Sequence, residues 1–150
     1  MKRVRAHVNH LSITYEVHFE GFGNDKPIYV DVGAYKGEFM EGIAEQFPDH
    51  NFILFEIRRP IAERLREKFK DRPNFVVFHG DAGRNFQNIL QPCTDQGGRI
   101  ETIFVNFPDP WFKDRHKKRR FINPKFLEET ATWLPKETEF VFQTDQEFLF

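Results

Sequence analysis

Five short runs rich in β-branched and aromatic residues recur along the chain, and the stretches between them carry helical periodicity. This alternation constrains the fold more than any other feature. Ile28 to Val32 reads as a strand ending at Gly33. Phe39, Ile43 and Phe47 then recur at i, i+4 and i+8, the apolar face of a helix that Pro48 stops. Asn51 to Phe55 reads as a second strand, closed by Glu56, and Pro60 suits the first turn of a helix striped by Ile61, Leu65 and Phe69. Phe75 to Phe78 makes a third strand, ended by His79-Gly80-Asp81. A short helical segment around Phe86 to Leu90 follows, then a polar loop from Pro92 to Arg99. Ile100 to Phe107 is the fourth strand. Asn123 caps a helix with Pro124 at its first position and Phe126, Leu127, Ala131 and Leu134 as its buried stripe. Pro135 stops that helix, and Glu139 to Gln143 is the fifth strand.

Strands separated by helical crossovers predict an α/β domain, a mostly parallel sheet with helices on both faces. Open sheets of this kind bind ligands outside the carboxyl ends of their strands, near the point where strand order reverses. Gly33, Glu56, Asp81, Asp109 and Asp145 each lie just past a strand, so one edge is expected to gather them. Residues 28–150 make up the domain, preceded over residues 1–27 by a basic arm (Lys2, Arg3, Arg5, His7, His10) and a flexible link from Gly21 to Lys26.

Charge narrows the function. The chain of 150 residues carries a formal net charge of −1, yet residues 113–120 hold six Lys/Arg and one Asp. That run is +5 and the remainder −6, so positive charge is focused in one place. Focusing favours a docked anionic partner over loose coating of nucleic acid. The single cysteine, Cys93, excludes an intramolecular disulfide framework and fits a reducing compartment. With neither a leader pattern nor a membrane-length apolar run, a cytoplasmic location and no membrane partner are expected.

Phe107 to Arg120 is the most specific stretch. A strand ends, Pro108 and Pro110 fix φ on either side of Asp109, Trp111 adds a flat face, and a cationic run follows at once. A stiffly held acid beside a polyanion-binding surface points to chemistry on a nucleic acid. Asp31 to Gly37 closes the first strand with glycines that let a backbone approach a cofactor, and Glu56 follows about twenty residues on. Glu56 suits ribose hydroxyls, or else an ion pair with Arg58 or Arg59. Asp81 suits an adenine amino group, or else an Asx turn. The dinucleotide fingerprint is broken by Tyr35, which favours a nucleoside cofactor without a pyrophosphate. S-adenosyl-L-methionine fits, its sulfonium surrounded by Asp31, Glu56, Asp81 and Asp109. No histidine falls at metal-ligand spacing, so no metal is expected. Gly-x-Ser-x-Gly and P-loop motifs are absent, which disfavours acyl and phosphoryl transfer.

The chain resembles the bacterial tRNA (guanine-N7-)-methyltransferases. The likeness rests on Arg3 to Asn9, on Asp31-Val32-Gly33-Ala34-Tyr35-Lys36-Gly37-Glu38-Phe39, on Phe107-Pro108-Asp109-Pro110-Trp111 running into Arg115 to Arg120, and on Gln143-Thr144-Asp145. It implies a Rossmann-like class I methyltransferase fold that methylates guanine 46 in the tRNA variable loop. By matched position it implies donor contacts at Asp31, Gly33, Glu56, Asp81 and Asp109, with Asp109 as the active-site acid. Lys113 and Asp145 would contact the substrate; Arg115, His116, Lys117, Lys118, Arg119 and Arg120 would engage the tRNA. Ala34 and Tyr35 stand where the family usually carries a second glycine, so Tyr35 is expected to crowd the donor pocket. Family members continue beyond the fifth strand; the end at Phe150 predicts an apparently truncated fold, self-association through the uncovered strand, and impaired catalysis.

Two other readings remain open. One is a noncatalytic RNA-binding or partner protein on a degenerate methyltransferase fold. The other, a nicotinamide-dependent oxidoreductase, lacks both its fingerprint and a proton-transfer arrangement. If phosphate contacts dominate tRNA binding, log affinity measured against log salt falls by roughly 0.7–0.9 per phosphate neutralised. A flat salt response would contradict a role for the cationic run.

Overall fold

A computed structural model describes residues 17–149, so the basic arm and the Arg3 to Asn9 motif lie outside the described residues. Its five strands are β1 (Ile28–Val32), β2 (Asn51–Glu56), β3 (Phe75–His79), β4 (Ile100–Asn106) and β5 (Glu139–Gln143). All pair in parallel, in the order β3-β2-β1-β4-β5. The chain winds outward from β1 through β2 to β3, then returns to the other side of β1 for β4 and β5. Strand order therefore reverses between β1 and β4, where an open α/β sheet leaves a crevice at its carboxyl edge.

Side chains alternate across the sheet, and each face has its own apolar layer. Val30, Ile53, Phe55 and Ile103 pack on one side with Phe86, Ile89 and Leu90 of α3 (Ala82–Asp95) and Phe126 of α4 (Pro124–Ala131). Tyr29, Phe52, Leu54 and Val77 pack on the other with Met40 and Ala44 of α1 (Glu38–Gln46) and Ile61, Leu65 and Phe69 of α2 (Arg59–Phe69). Phenylalanine fills much of this core. The Phe75 ring stacks on Phe69 at 4.3 Å and on Phe52 at 4.7 Å between centroids. Each phenyl ring buried this way contributes about 1.5–3 kcal/mol.

The helices differ from expectation in three places. In α1 the buried residues are Met40 and Ala44, while Phe39 is 43% exposed and Phe47 lies past the helix end. A small and a flexible side chain let α1 approach the sheet closely. Phe39 and Phe47 are displaced to the margin, touching Phe104 and Tyr29 edge-on. The short segment around Phe86 is the 14-residue helix α3, and it runs through Pro92 to Asp95 where a loop was expected. Asp81 caps it, its Oδ2 accepting from the Arg84 N–H at 2.9 Å, and the buried face of Phe86, Ile89, Leu90 and Cys93 outweighs the donor lost at Pro92. In α4 the cap at Asn123 is as read, but the buried residues are Phe126 and Thr130. Leu127 is 46% exposed and Leu134 lies beyond the helix.

The segment read as a flexible link is fastened along α3. Val17 N–H donates to Asn85 Oδ1 at 2.7 Å, Gly23 N–H donates to Gln96 Oε1 at 2.9 Å, and Gln96 Nε2 donates to the Glu20 carbonyl at 2.7 Å. Phe19 and Phe22 pack against the α3 layer beside these bonds. At the opposite edge β5 pairs only with β4 among the described residues, and its side chains are half-buried to exposed.

Phe126→Ala should destabilise the fold by about 3–5 kcal/mol in urea denaturation, because its ring meets Phe86, Phe121 and Phe140. Leu127→Ala should stay within about 0.5 kcal/mol of the parent. Equal costs would mean that α4 buries the wider stripe the sequence suggested.

Candidate active site

The carboxyl ends of β1, β2, β3 and β4 surround a cavity of about 410 Å³. Gly33, Glu56, Asp81 and Asp109, four residues expected at strand ends, all line it. Tyr35, Arg58, Asn106, Phe107 and Arg119 also contribute to the wall.

The turn after β1 brings backbone to the cavity. Gly33 has φ +82°, and a Cβ there would meet nothing within 4 Å, so its constraint is conformational rather than spatial. Gly33 and Ala34 both donate their N–H to the Phe55 carbonyl, at 2.9 and 3.0 Å. Tyr35 adopts φ +51°, a left-handed conformation that favours glycine, and its N–H donates to Glu56 Oε2 at 3.1 Å. Half of the Tyr35 residue is exposed, its ring 5.3 Å from the Arg58 Cζ. At Gly37, with φ +75°, a Cβ would lie 2.8 Å from Phe69 and 2.9 Å from Leu65. Glycine is therefore required where α1 starts against α2.

Glu56 lines the cavity, and of its two readings the ion pair with Arg58 is the one present. Its carboxylate, 1% exposed, accepts from Arg58 N–H at 3.0 Å and Nε at 2.8 Å on Oε1, and from Arg58 Nη2 at 3.1 Å on Oε2. Asp81 caps α3 and also lines the cavity. Asp31 is different. It is 3% exposed and is absent from the cavity wall, on the α1–α2 side of β1. Burial, reinforced by the charge of Glu56, pushes its carboxyl up to about 7.

Asp109 enters the wall on a constrained turn. Phe107 has φ +49° and Trp111 φ +46°, so two bulky residues in the left-handed region flank Pro108-Asp109-Pro110. Such backbone strain persists where the surroundings over-determine it, and it clusters at functional sites. Arg120 supplies part of that determination: its Nε donates to the Pro110 carbonyl at 2.9 Å and its Nη2 to the Trp111 carbonyl at 3.2 Å. The cationic run forms a 3₁₀ turn, Asp114–Arg119. Arg115, Lys117 and Lys118 are exposed there, while His116, Arg119 and Arg120 are partly covered. Arg119 lines the cavity and lies over the Trp111 ring at 5.1 Å. Lys113 and Asp145 are exposed and do not line the cavity.

Sequence reasoning missed three polar residues of the wall. Arg58 was visible only as a possible ion-pair partner. Arg119 was indistinguishable from its cationic neighbours. Asn106, the last residue of β4, has a buried Oδ1 with no hydrogen-bond partner among the described residues, a fact no sequence pattern carries.

Asp31 gives a pH test. Its folded pKa is raised from 3.8, so its stabilising contribution is full below that value and is lost as pH rises through about 7. Asp31→Asn should therefore gain on the parent protein between about pH 4 and pH 8, by on the order of 4 kcal/mol in urea denaturation. A difference that does not change with pH would contradict this.

Residues 25–150 match the family model described as "Putative methyltransferase". The tRNA (guanine-N(7)-)-methyltransferase of Listeria monocytogenes is 39% identical over 133 residues, covering 87% of this chain and 59% of that protein. The protein of the same name from Exiguobacterium is 38% identical over 131 residues, with 86% and 58% covered. That of Synechococcus elongatus is 31% identical over 152 residues, with 95% and 70% covered. The chain thus spans 58–59% of the length of the first two relatives. By these matches and by its fold, the chain belongs to the tRNA (guanine-N(7)-)-methyltransferase family.

Proposed function

We propose that the protein transfers a methyl group from S-adenosyl-L-methionine to N7 of a guanosine in the tRNA variable loop, guanine 46, in the cytoplasm. One observation carries this reading: Glu56, Asp81 and Asp109 converge on a single cavity at the switch point of the sheet, next to an exposed cationic turn. The cavity suits the donor. Its volume of about 410 Å³ lies in the range of sites for small cofactors, and carboxylates and an exposed aromatic ring complement an adenosine and a positive charge. When bound, the donor supplies an electrophilic methyl group on a cationic sulfur.

The protein groups then divide the work. Glu56 accepts from ribose hydroxyls, Asp81 from the adenine edge, and the open backbone at Gly33 admits the donor without a side chain in the way. N7 of guanine has a lone pair and no proton to lose, so no general base is required. Asp109 orients the base and balances charge, accepting from its N–H edge, on a turn too stiff to drift. Lys113 and Asp145 contact the nucleotide from outside the cavity. Arg115, Lys117 and Lys118 face tRNA phosphates, with Arg119 and Arg120 between those phosphates and the catalytic turn.

The test is incubation with tRNA and labelled donor, followed by mapping of the modified base. The expected product is one 7-methylguanosine in the variable loop. Asp109→Asn should lower turnover by about 100-fold. Full methyl transfer by Asp109→Asn would refute the role of that acid. Retention of tRNA without donor binding would instead favour the noncatalytic reading.

A further inference from the structure

We propose that Arg58 holds the place of the donor's ribose on Glu56, and that the donor binds by displacing the Arg58 guanidinium from that carboxylate. The inference rests on the cavity being a donor site and adds a competitor that the site carries within itself.

Hydrogen-bond capacity carries it. A carboxylate offers about four lone-pair positions. Glu56 uses all four. Oε1 accepts from Arg58 N–H and Nε; Oε2 accepts from Tyr35 N–H and Arg58 Nη2. Ribose hydroxyls have no position on Glu56 while this set stands. Two of the four donors are backbone groups that cannot leave without rebuilding the turns after β1 and β2. The other two sit on one side chain and can leave together. A vicinal diol brings two O–H donors, the number the guanidinium takes away. The exchange leaves the buried carboxylate with four bonds, whereas withdrawal of Arg58 alone would strand it half-satisfied.

Arg58 also has a destination. Its side chain is 21% exposed, against 1% for that of Glu56, so it can reach water more readily than its partner. The Tyr35 ring already lies 5.3 Å from its Cζ. Its hydrogen bonds to Glu56 hold the guanidinium's pKa above its ordinary value, and the charge of Asp109 adds to that effect. A displaced guanidinium thus moves along a path lined by an aromatic face and a second carboxylate of the same cavity. Donor occupancy and the electrostatics of Asp109 become linked through one side chain.

The experiment titrates S-adenosylhomocysteine by calorimetry into the parent protein and Arg58→Met, with thermal melts of both in the absence of ligand. Arg58→Met should melt lower, having lost a buried ion pair, and yet bind S-adenosylhomocysteine about tenfold more tightly, because no charged hydrogen bonds must break first. Opposite signs for stability and affinity separate this role from a structural one, which would weaken both. Equal or weaker binding by Arg58→Met, with the parent binding normally, overturns the proposal. If Arg58→Met does not fold, Arg58→Lys decides: a single ammonium cannot match the two-pronged contact, so tighter binding supports displacement and equal or weaker binding overturns it. Absence of binding by every protein refutes the donor site itself, and the inference with it.

Discussion

A parallel sheet buried on both faces can expose polar groups only at its ends, and this constraint organises the whole molecule. β1 pairs with β2 on one side and β4 on the other, and its Ile28, Tyr29 and Val30 are enclosed by helices of both layers. Helical crossovers return the chain to the same end each time, so every strand delivers its last residue to one edge. Glu56, Asp81 and Asp109 meet there although they are far apart in sequence. The phenylalanine-rich layers hold that edge in place; the residues at the edge add chemistry to it.

The electrostatics of the edge are more balanced than a cluster of acids. Arg58 neutralises Glu56 from within the cavity, and Arg119 also lines the wall. Asp31 sits behind the wall with its proton affinity raised by burial and by Glu56. In the proposed binding mode a cationic donor meets a Glu56 already compensated by Arg58, so exchange of partners there is part of binding. The exposed cations of the 3₁₀ turn lie outside the cavity wall, with Lys117 paired to Asp114, and the proposed function assigns that surface to tRNA phosphates.

The five strands and the cap at Asn123 were legible because β-branched runs, acids and prolines act locally. The cavity residues Gly33, Glu56, Asp81 and Asp109 were legible for the same reason, each following a strand directly. What failed was ranking by hydrophobicity alone. Phe39, Phe47 and Leu127 read as core, yet Met40, Ala44 and Thr130 are the residues at the contact, since close approach of a helix selects for fit. Pro92 read as a stop, yet a buried apolar face carried α3 past it. Asp31, a donor contact by its match to the family motif, is buried outside the wall that Gly33, Glu56, Asp81 and Asp109 share. The pairing of Arg58 with Glu56, offered as an alternative to cofactor binding, is present and lies on the cavity wall, a placement that only the three-dimensional structure reveals.

The central claim is that the cavity at the carboxyl edge of the sheet is the methyl donor's site. A crystal structure determined with S-adenosylhomocysteine tests it most directly. The account predicts ligand density bounded by Gly33, Asp81 and Asp109, with the ribose hydroxyls on Glu56. Density elsewhere on the molecule, with the cavity empty at saturating ligand, would contradict it.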